Sequence, residues 1–415
     1  MRFRVHTWVS AALFALAAVI ALTKMAVADE TAKAEPEIEI FGEVEFEGTL
    51  FAKDPQFAVQ DRDDVSVAGK VTFQAKWWDG DLSFRLTPFA RLDLVDDRRT
   101  HFDLREAKFD LTLDEWSFTI GADTVFWGKT EAVHLVDIIN QTDAVEDLDD
   151  EDRLGQPLLR IAYLSDFGEF SAFYMPYFRE RTFPGRKGRL RFNPAIDTNR
   201  PIYDTGAEEW TPSFALRYTG VFGDVDLGVS AFHGLGRDPA FVFDGVSFRP
   251  FYERITQFGV DVQYTSDATL WKAEGIYRWG QKNARFREEN FLALTGGVEH
   301  TFYGVFDNAD LGLIAEYAWD SRGDDALTNF ENDLILGTRL ALNDEADSSL
   351  LFTGAVDMDD GAVGLRLEAE RRLADNWKVA LEGQAFLNAD RTGVAGALAD
   401  DHFLRLKVTY FFGTE

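Results

Sequence analysis

From residue 37 to residue 413 the side chains of this chain alternate between apolar and polar with a period of two. In the first segment Ile38, Ile40, Val44, Phe46 and Leu50 take the even positions, while Glu37, Glu39, Glu43, Glu45 and Glu47 take the odd ones. A helix would scatter those glutamates around its circumference, whereas a strand gathers them on one face and the aliphatics on the other. The next segment sets Val65, Val67, Val71 and Phe73 against Ser66, Lys70, Thr72 and Gln74. Near the end Leu404, Leu406, Val408 and Tyr410 alternate with Arg405, Lys407 and Thr409.

Eighteen such segments are read, at about 37–51, 65–78, 81–95, 102–113, 115–122, 157–165, 168–176, 212–221, 224–234, 252–265, 268–279, 291–303, 310–320, 332–343, 347–358, 361–374, 376–388 and 402–413. Most reach the ~9–11 residues that a tilted strand needs to cross a bilayer. The fifth, sixth and seventh are short, which leaves sixteen as the alternative count. Tight turns such as Asp79-Gly80, Gly223-Asp224 and Ser266-Asp267 alternate with long connections at 52–64, 96–101, 123–156, 177–211, 235–251, 280–290, 321–331 and 389–401. A barrel threaded from the periplasm has this rhythm of short turns and long outer loops. Trp77, Trp116, Trp271 and Trp377 fall beside short turns, and Trp279 and Trp319 beside long ones, as two interfacial aromatic belts require.

An apolar face on nearly every strand, opposite a charged one, cannot be buried in a water-soluble monomer without a second layer. In lipid that face is satisfied, and every backbone N–H and C=O must then pair between strands, which only closure achieves. The expected fold class is therefore all-β: a transmembrane, antiparallel up-and-down β-barrel of about eighteen strands.

The chain carries 42 Lys+Arg against 72 Asp+Glu, a balance opposed to a nucleic-acid partner. It has no cysteine, hence no disulfide framework and no thiolate chemistry. Residues 1–28 have the form of a signal peptide: Arg2 and Arg4, an uncharged run from Val9 to Leu22, and Ala26-Val27-Ala28 as the cleavage site. Its removal takes three cations and no acids, leaving a net charge of −33. Residues 29–36 form a short acidic leader, and 37–415 a single barrel domain. The expected location is the outer membrane of a Gram-negative bacterium, with lipid, lipopolysaccharide and the barrel-assembly machinery as expected partners. The oligomeric state is not set by sequence.

The polar face defines the lumen, with Arg85, Arg217, Arg339, Arg366 and Arg405 among its cations and Glu45, Glu47, Asp261, Glu274 and Glu316 among its acids. Mixed charge on an interior too wide to fill with side chains implies water inside, the alternative being a closed interior knitted by ion pairs. The third long connection, 123–156, is apolar at first, with a helix-like run from Glu131 to Ile139. Asp143, three residues before Glu146, has capping-box spacing for a second short helix. Then come Glu146, Asp147, Asp149, Asp150, Glu151 and Asp152, six acids in seven residues. A connection of this length is expected to fold into the barrel, its acids (Asp143 included) lining a constriction. A solvated outer surface, or a divalent-cation patch docked on lipopolysaccharide, are the alternatives. The fourth connection is basic, with Arg179, Arg181, Arg186, Lys187, Arg189 and Arg191. These cations face the acids across a pore mouth, pair with them, or sit against lipid phosphates; sequence leaves all three open.

The five histidines of the mature chain (His101, His134, His233, His300, His402) lack metal-ligand spacing, and there is no G-x-S-x-G, H-E-x-x-H or phosphate-binding glycine loop. An enzyme, a metal and a cofactor are not expected.

The eighteen alternating segments, the long third loop running Phe126-Trp127-Gly128-Lys129-Thr130-Glu131 to Asp152, and the aromatic belts resemble the Gram-negative porin superfamily over the whole mature chain. The likeness is greatest to its larger barrels, the substrate-selective porins and the alginate-export type. One departure is that Phe411 and Phe412 are followed by Gly413-Thr414-Glu415, where such barrels end on a terminal aromatic. The resemblance implies a channel for small hydrophilic solutes or ions. A dedicated conduit for an anionic solute or polysaccharide, or a closed structural or adhesion barrel, are the alternatives.

Overall fold

The computed structural model describes residues 35–147, 149–306, 308–328, 330–389 and 395–414. The expected signal peptide and nearly all of the acidic leader lie outside the described residues. Eighteen strands form one antiparallel sheet. Its first seven members are β1 (Glu37–Phe51), β2 (Asp63–Trp77), β3 (Leu82–Asp93), β4 (His101–Leu113), β5 (Trp116–Asp123), β6 (Gln156–Ser165) and β7 (Gly168–Met175). After the short β8 (Ile202–Tyr203) come β9 (Ser213–Phe222) and β10 (Val225–Leu235). The short β11 (Ala240–Phe243) and β12 (Phe248–Tyr252) precede β13 (Arg254–Ser266), β14 (Thr269–Lys282), β15 (Glu288–Val305) and β16 (Ala309–Asp320). The last five are β17 (Asn332–Ala341), β18 (Ser349–Asp357), β19 (Val363–Ala374), β20 (Trp377–Leu387) and β21 (Phe403–Gly413).

Each barrel strand pairs with the next, and β21 returns to β1 from Phe41↔Gly413 to Phe51↔Phe403. That seam closes the sheet and leaves it no edge. All eighteen alternating segments are barrel strands, and the three short segments are paired members of the sheet (β5, β6, β7). The strands β8, β11 and β12, unforeseen from the sequence, form a small separate sheet drawn from the fourth and fifth long connections.

The apolar residues that alternation assigned outward are exposed: Phe46, Leu50, Phe258, Val260, Leu404 and Leu406 all face away from the barrel axis. Ring pairs such as Trp116–Tyr163 and Trp377–Tyr410, with centroids 4.8 and 4.9 Å apart, gird the short-turn end. Tyr174–Phe214 and Tyr277–Trp279 do the same at the long-loop end. The ionised residues of the other face are sequestered inside, Glu47, Asp261, Glu274 and Arg405 among them.

Alternation breaks where Thr87 pairs with Glu106 and Pro88 with Leu104, leaving Arg105 as the extra residue of a β-bulge. A bulge shifts the phase of its strand by one residue. Asp103, Arg105 and Glu106 consequently all reach partners within the bore.

Because Val260 faces outward at mid-strand, Val260→Arg should destabilise the barrel by about 2–4 kcal/mol in denaturant titrations of protein folded into lipid vesicles. The same charge at inward-facing Gln263, beside Asp226, should cost little. Equal penalties would mean that the outer face is not in lipid.

A candidate functional site formed by the loop inside the barrel

Between Asp123 and Gln156 the chain turns into the barrel and divides into two arms. The first, residues 124–140, carries the apolar side chains. Trp127, Val136, Ile138 and Ile139 are buried against Leu158, Phe173, Met175, Phe232, Ile255, Ile276 and Phe291 on the inner face of β6 to β15. Val133 packs farther round, on Ala318 and Ile335. At its base, Arg237 donates to the Ile139 carbonyl at 2.7 Å, its guanidinium lying between the Phe178 and Phe232 rings.

The helix expected from Glu131 to Ile139 is not formed, and among the described residues there is no α-helix. The Val136 amide, which a helix would satisfy internally, goes instead to the wall carboxylate Glu274, and carboxylates also fix the amides at and before the start of the run. Glu274 accepts from the Lys129, Thr130 and Val136 amides and from the Thr130 hydroxyl. Glu316 accepts from the Glu131 and Ala132 amides at 2.7 and 3.1 Å, and Asp137 from those of Trp127 and Gly128. The capping box at Asp143 and Glu146 is absent for a similar reason, since both side chains are engaged by the wall. The sequence cannot report an acceptor that lies more than a hundred residues away.

The second arm, 141–153, runs the opposite way round the bore, and its acids meet wall cations in angular order. Asp143 is fully buried and pairs with Arg105 of β4 at 2.7 Å, accepts from Thr182 at 2.7 Å and lies 3.1 Å from His101 Nε2. Burial alone would raise its pKa, but the His101 hydrogen bond and the Arg105 charge outweigh it and hold the carboxyl well below the usual range. Glu146 takes Arg91 of β3 at 2.7 Å, and Arg91 also reaches Glu47, which Arg99 clamps at 2.7 Å. Asp147 pairs with Arg405 of β21 at 2.7 Å, and Asp149 with Arg366 of β19 at 2.6 Å. The tip of the first arm contacts β17 through Glu131–Arg339, 2.6 Å. The two arms therefore reach round opposite walls, and their tips are anchored on strands with only β18 between them.

Asp150 pairs with Arg181 of the fourth connection. Glu151 and Asp152 have no ion-pair partner within 4 Å among the described residues, and both are exposed to the bore. Loop and wall nevertheless crowd Asp152 closely. That desolvation, reinforced by the charge of Glu146 and opposed by Arg105, pushes its pKa up to about 7. Glu151 is raised as well, by burial and then by Asp149.

The basic connection is not gathered at one place. Arg179 pairs with Asp103 at 2.7 Å and Arg189 with Asp401 at 2.7 Å, while Arg191 lies 4.7 Å over the Phe57 ring and donates to the Phe192 carbonyl. Arg186 and Lys187 are exposed. Of the wall arginines, Arg217 pairs with Asp261 at 2.9 Å beneath the Trp127 ring, and Arg85 lies 3.7 Å from Glu106. Arg99 and Arg105, central to holding the second arm, were missed in the sequence. Arg99 lies in a connection rather than a strand, and Arg105 sits at the bulge that breaks the two-residue phase.

Beside the second arm remains a cavity of about 590 Å³, bounded by β1 to β4, by Thr124–Phe126 and by Glu146 and Glu151–Arg153.

A closed antiparallel barrel with an apolar exterior, an ionised interior and a long loop folded inward is the architecture of a porin-type barrel. Solved structures similar to the chain include two engineered variants of the Rhodopseudomonas blastica porin, at 14% identity with TM-score 0.46 and at 13% with TM-score 0.45; each alignment covers 91% of this chain and 100% of that one. A structure described as concerning the asymmetric conductivity of engineered proteins is similar at 14% identity, TM-score 0.45 and the same coverage. No family model matches the chain, and no curated protein matches it.

Replacing Glu274 with alanine would strip the first arm of the carboxylate that holds four of its donors. Leaving buried donors unpaired costs about 1–3 kcal/mol each, so the arm should loosen while the barrel persists. Trypsin cleavage after Lys129 should become much faster in Glu274→Ala, read by mass spectrometry. Unchanged cleavage would show that the apolar contacts alone hold the arm.

Proposed function

We propose that the protein is an outer-membrane channel that passes small hydrophilic solutes or ions, prefers cations, and is constricted by the loop between β5 and β6. The observation that carries this reading is how the charges of the second arm are apportioned. Asp143, Glu146, Asp147 and Asp149 are each matched by a wall arginine, so their charge is spent on holding the loop. Glu151 and Asp152 are left without such a partner, beside the open cavity. The constriction then presents net negative charge to whatever passes, and a carboxylate-lined narrowing favours cations.

The wall arginines that would serve an anionic permeant are themselves engaged, Arg217 by Asp261 and Arg366 by Asp149 and Glu368. That arrangement favours the cation reading over a conduit for polyanions. The basic residues Arg179, Arg181 and Arg189 brace the outer mouth by their ion pairs, while the exposed Arg186 and Lys187 meet lipopolysaccharide phosphates. Lipid around the apolar belt and the barrel-assembly machinery complete the proposed partners.

An acid with a pKa near 7 is partly protonated at neutral pH and gains charge as pH rises through that value. Cation preference, measured as the reversal potential across a planar bilayer under a potassium chloride gradient, should therefore increase from pH 6 to pH 8. Asp152→Asn should flatten that rise and lower the preference at pH 8. A reversal potential near zero at both pH values would refute the acidic constriction, and absence of any conductance would refute the channel.

A further inference from the structure

The cavity beside the second arm has a chemistry of its own. The cations at its border are all paired: Lys70 with Glu43 at 2.8 Å, Arg91 with Glu146 at 2.7 Å, Arg105 with Asp143 at 2.7 Å, Arg153 with Asp137 at 3.2 Å and Lys407 with Glu382 at 2.5 Å. Glu151 and Asp152 are the acids of the lining that lack such a commitment among the described residues. An entering anion would meet uncompensated carboxylate without a free cation to receive it; an entering cation would meet the reverse.

The same cavity is bordered by Phe126, which is 54% exposed although the first arm buries most of its other large apolar side chains. Its neighbour Trp127 is buried in the apolar cluster, while the Phe126 ring is held edge-on to His134, centroids 4.8 Å apart. More than half of the Phe126 side chain is thereby left open beside the cavity. An exposed aromatic ring beside unpaired carboxylates suits a cation with an apolar body, the acids taking the charge and the ring the body. A volume of about 590 Å³ falls within the ordinary range for a small-molecule site, roughly 300–1,000 Å³.

From this juxtaposition we infer that the cavity is a binding subsite for small organic cations, ammonium or guanidinium compounds with an apolar portion, whose charged end meets Glu151 and Asp152 while the body rests on Phe126. The inference deepens the channel reading and rests on it, since it names the class of solute held at the constriction.

Benzylammonium, benzyl alcohol and methylammonium separate the two elements of the subsite. Each is titrated by calorimetry into the full mature barrel in detergent, folding being verified by heat-modifiable migration, and each is tested for current block in a planar bilayer. Benzylammonium should bind at least tenfold more tightly than benzyl alcohol and block the current reversibly. The double variant Glu151→Gln/Asp152→Asn should lose tenfold or more of that affinity. Phe126→Ala should weaken benzylammonium about two- to tenfold, the size of an aromatic ring pair, and leave methylammonium unchanged. Equal binding of benzylammonium and benzyl alcohol, no binding of either, or full affinity in the double variant would overturn the subsite. A cation-selective current without binding removes the subsite and keeps the channel, whereas binding by a barrel that carries no current supports the subsite and removes the channel.

Discussion

Everything in this molecule follows from the pairing of the last strand with the first. In a hydrocarbon layer no water is available for a free N–H or C=O, so a sheet that faces lipid must leave no edge. The seam from Phe41↔Gly413 to Phe51↔Phe403 meets that demand. It also places Arg405, on the last strand, near Glu47, on the first, at 3.6 Å. Closure thus creates the inner charge cluster that holds Glu146 and Asp147 of the second arm.

Eighteen strands bring a second constraint. Side chains alone cannot fill so wide an interior, and an ionised wall left bare would be solvated but would not be organised. The loop between β5 and β6 meets both conditions with its two halves. Its apolar arm covers a greasy inner patch on β6 to β15, and its acidic arm neutralises arginines on β3, β4, β19 and β21. Buried ion pairs of this kind add little net stability against well-packed apolar residues, but they are strongly directional. They specify where each part of the loop lies, and by doing so they leave two carboxylates and one aromatic ring exposed to the remaining space.

Much of the barrel was legible in the chain because a period of two has one structural meaning when it recurs in every segment. Glu43, Glu45 and Glu47 could be assigned to one face without knowing any neighbour. The site was legible in part. Length and an apolar first half made an inward course the favoured of three readings of the third loop, and its acids were visible as a run. At the helix expected from Glu131 to Ile139, Glu274, far along the chain, takes the Val136 amide that a helical turn would have used, and Glu316 fixes the amides of Glu131 and Ala132 in a non-helical course. Arg105 escaped because a single bulged residue reverses the alternation that identified every other wall cation. The small sheet of β8, β11 and β12 combines two separate connections, and neither segment alone carries a strand pattern long enough to read.

Local alternation, then, determined by itself which residues of nearly every strand face outward and where the chain turns, and narrowed the strand number to sixteen or eighteen, because side-chain direction in a regular strand depends only on position along it. The tertiary structure alone decided which charges cancel. Asp149 and Asp152 are indistinguishable in a run of six acids, yet one is held by Arg366 and the other faces the bore with its pKa near 7. That difference is set by distances across the barrel, between groups that closure brings together and sequence keeps apart.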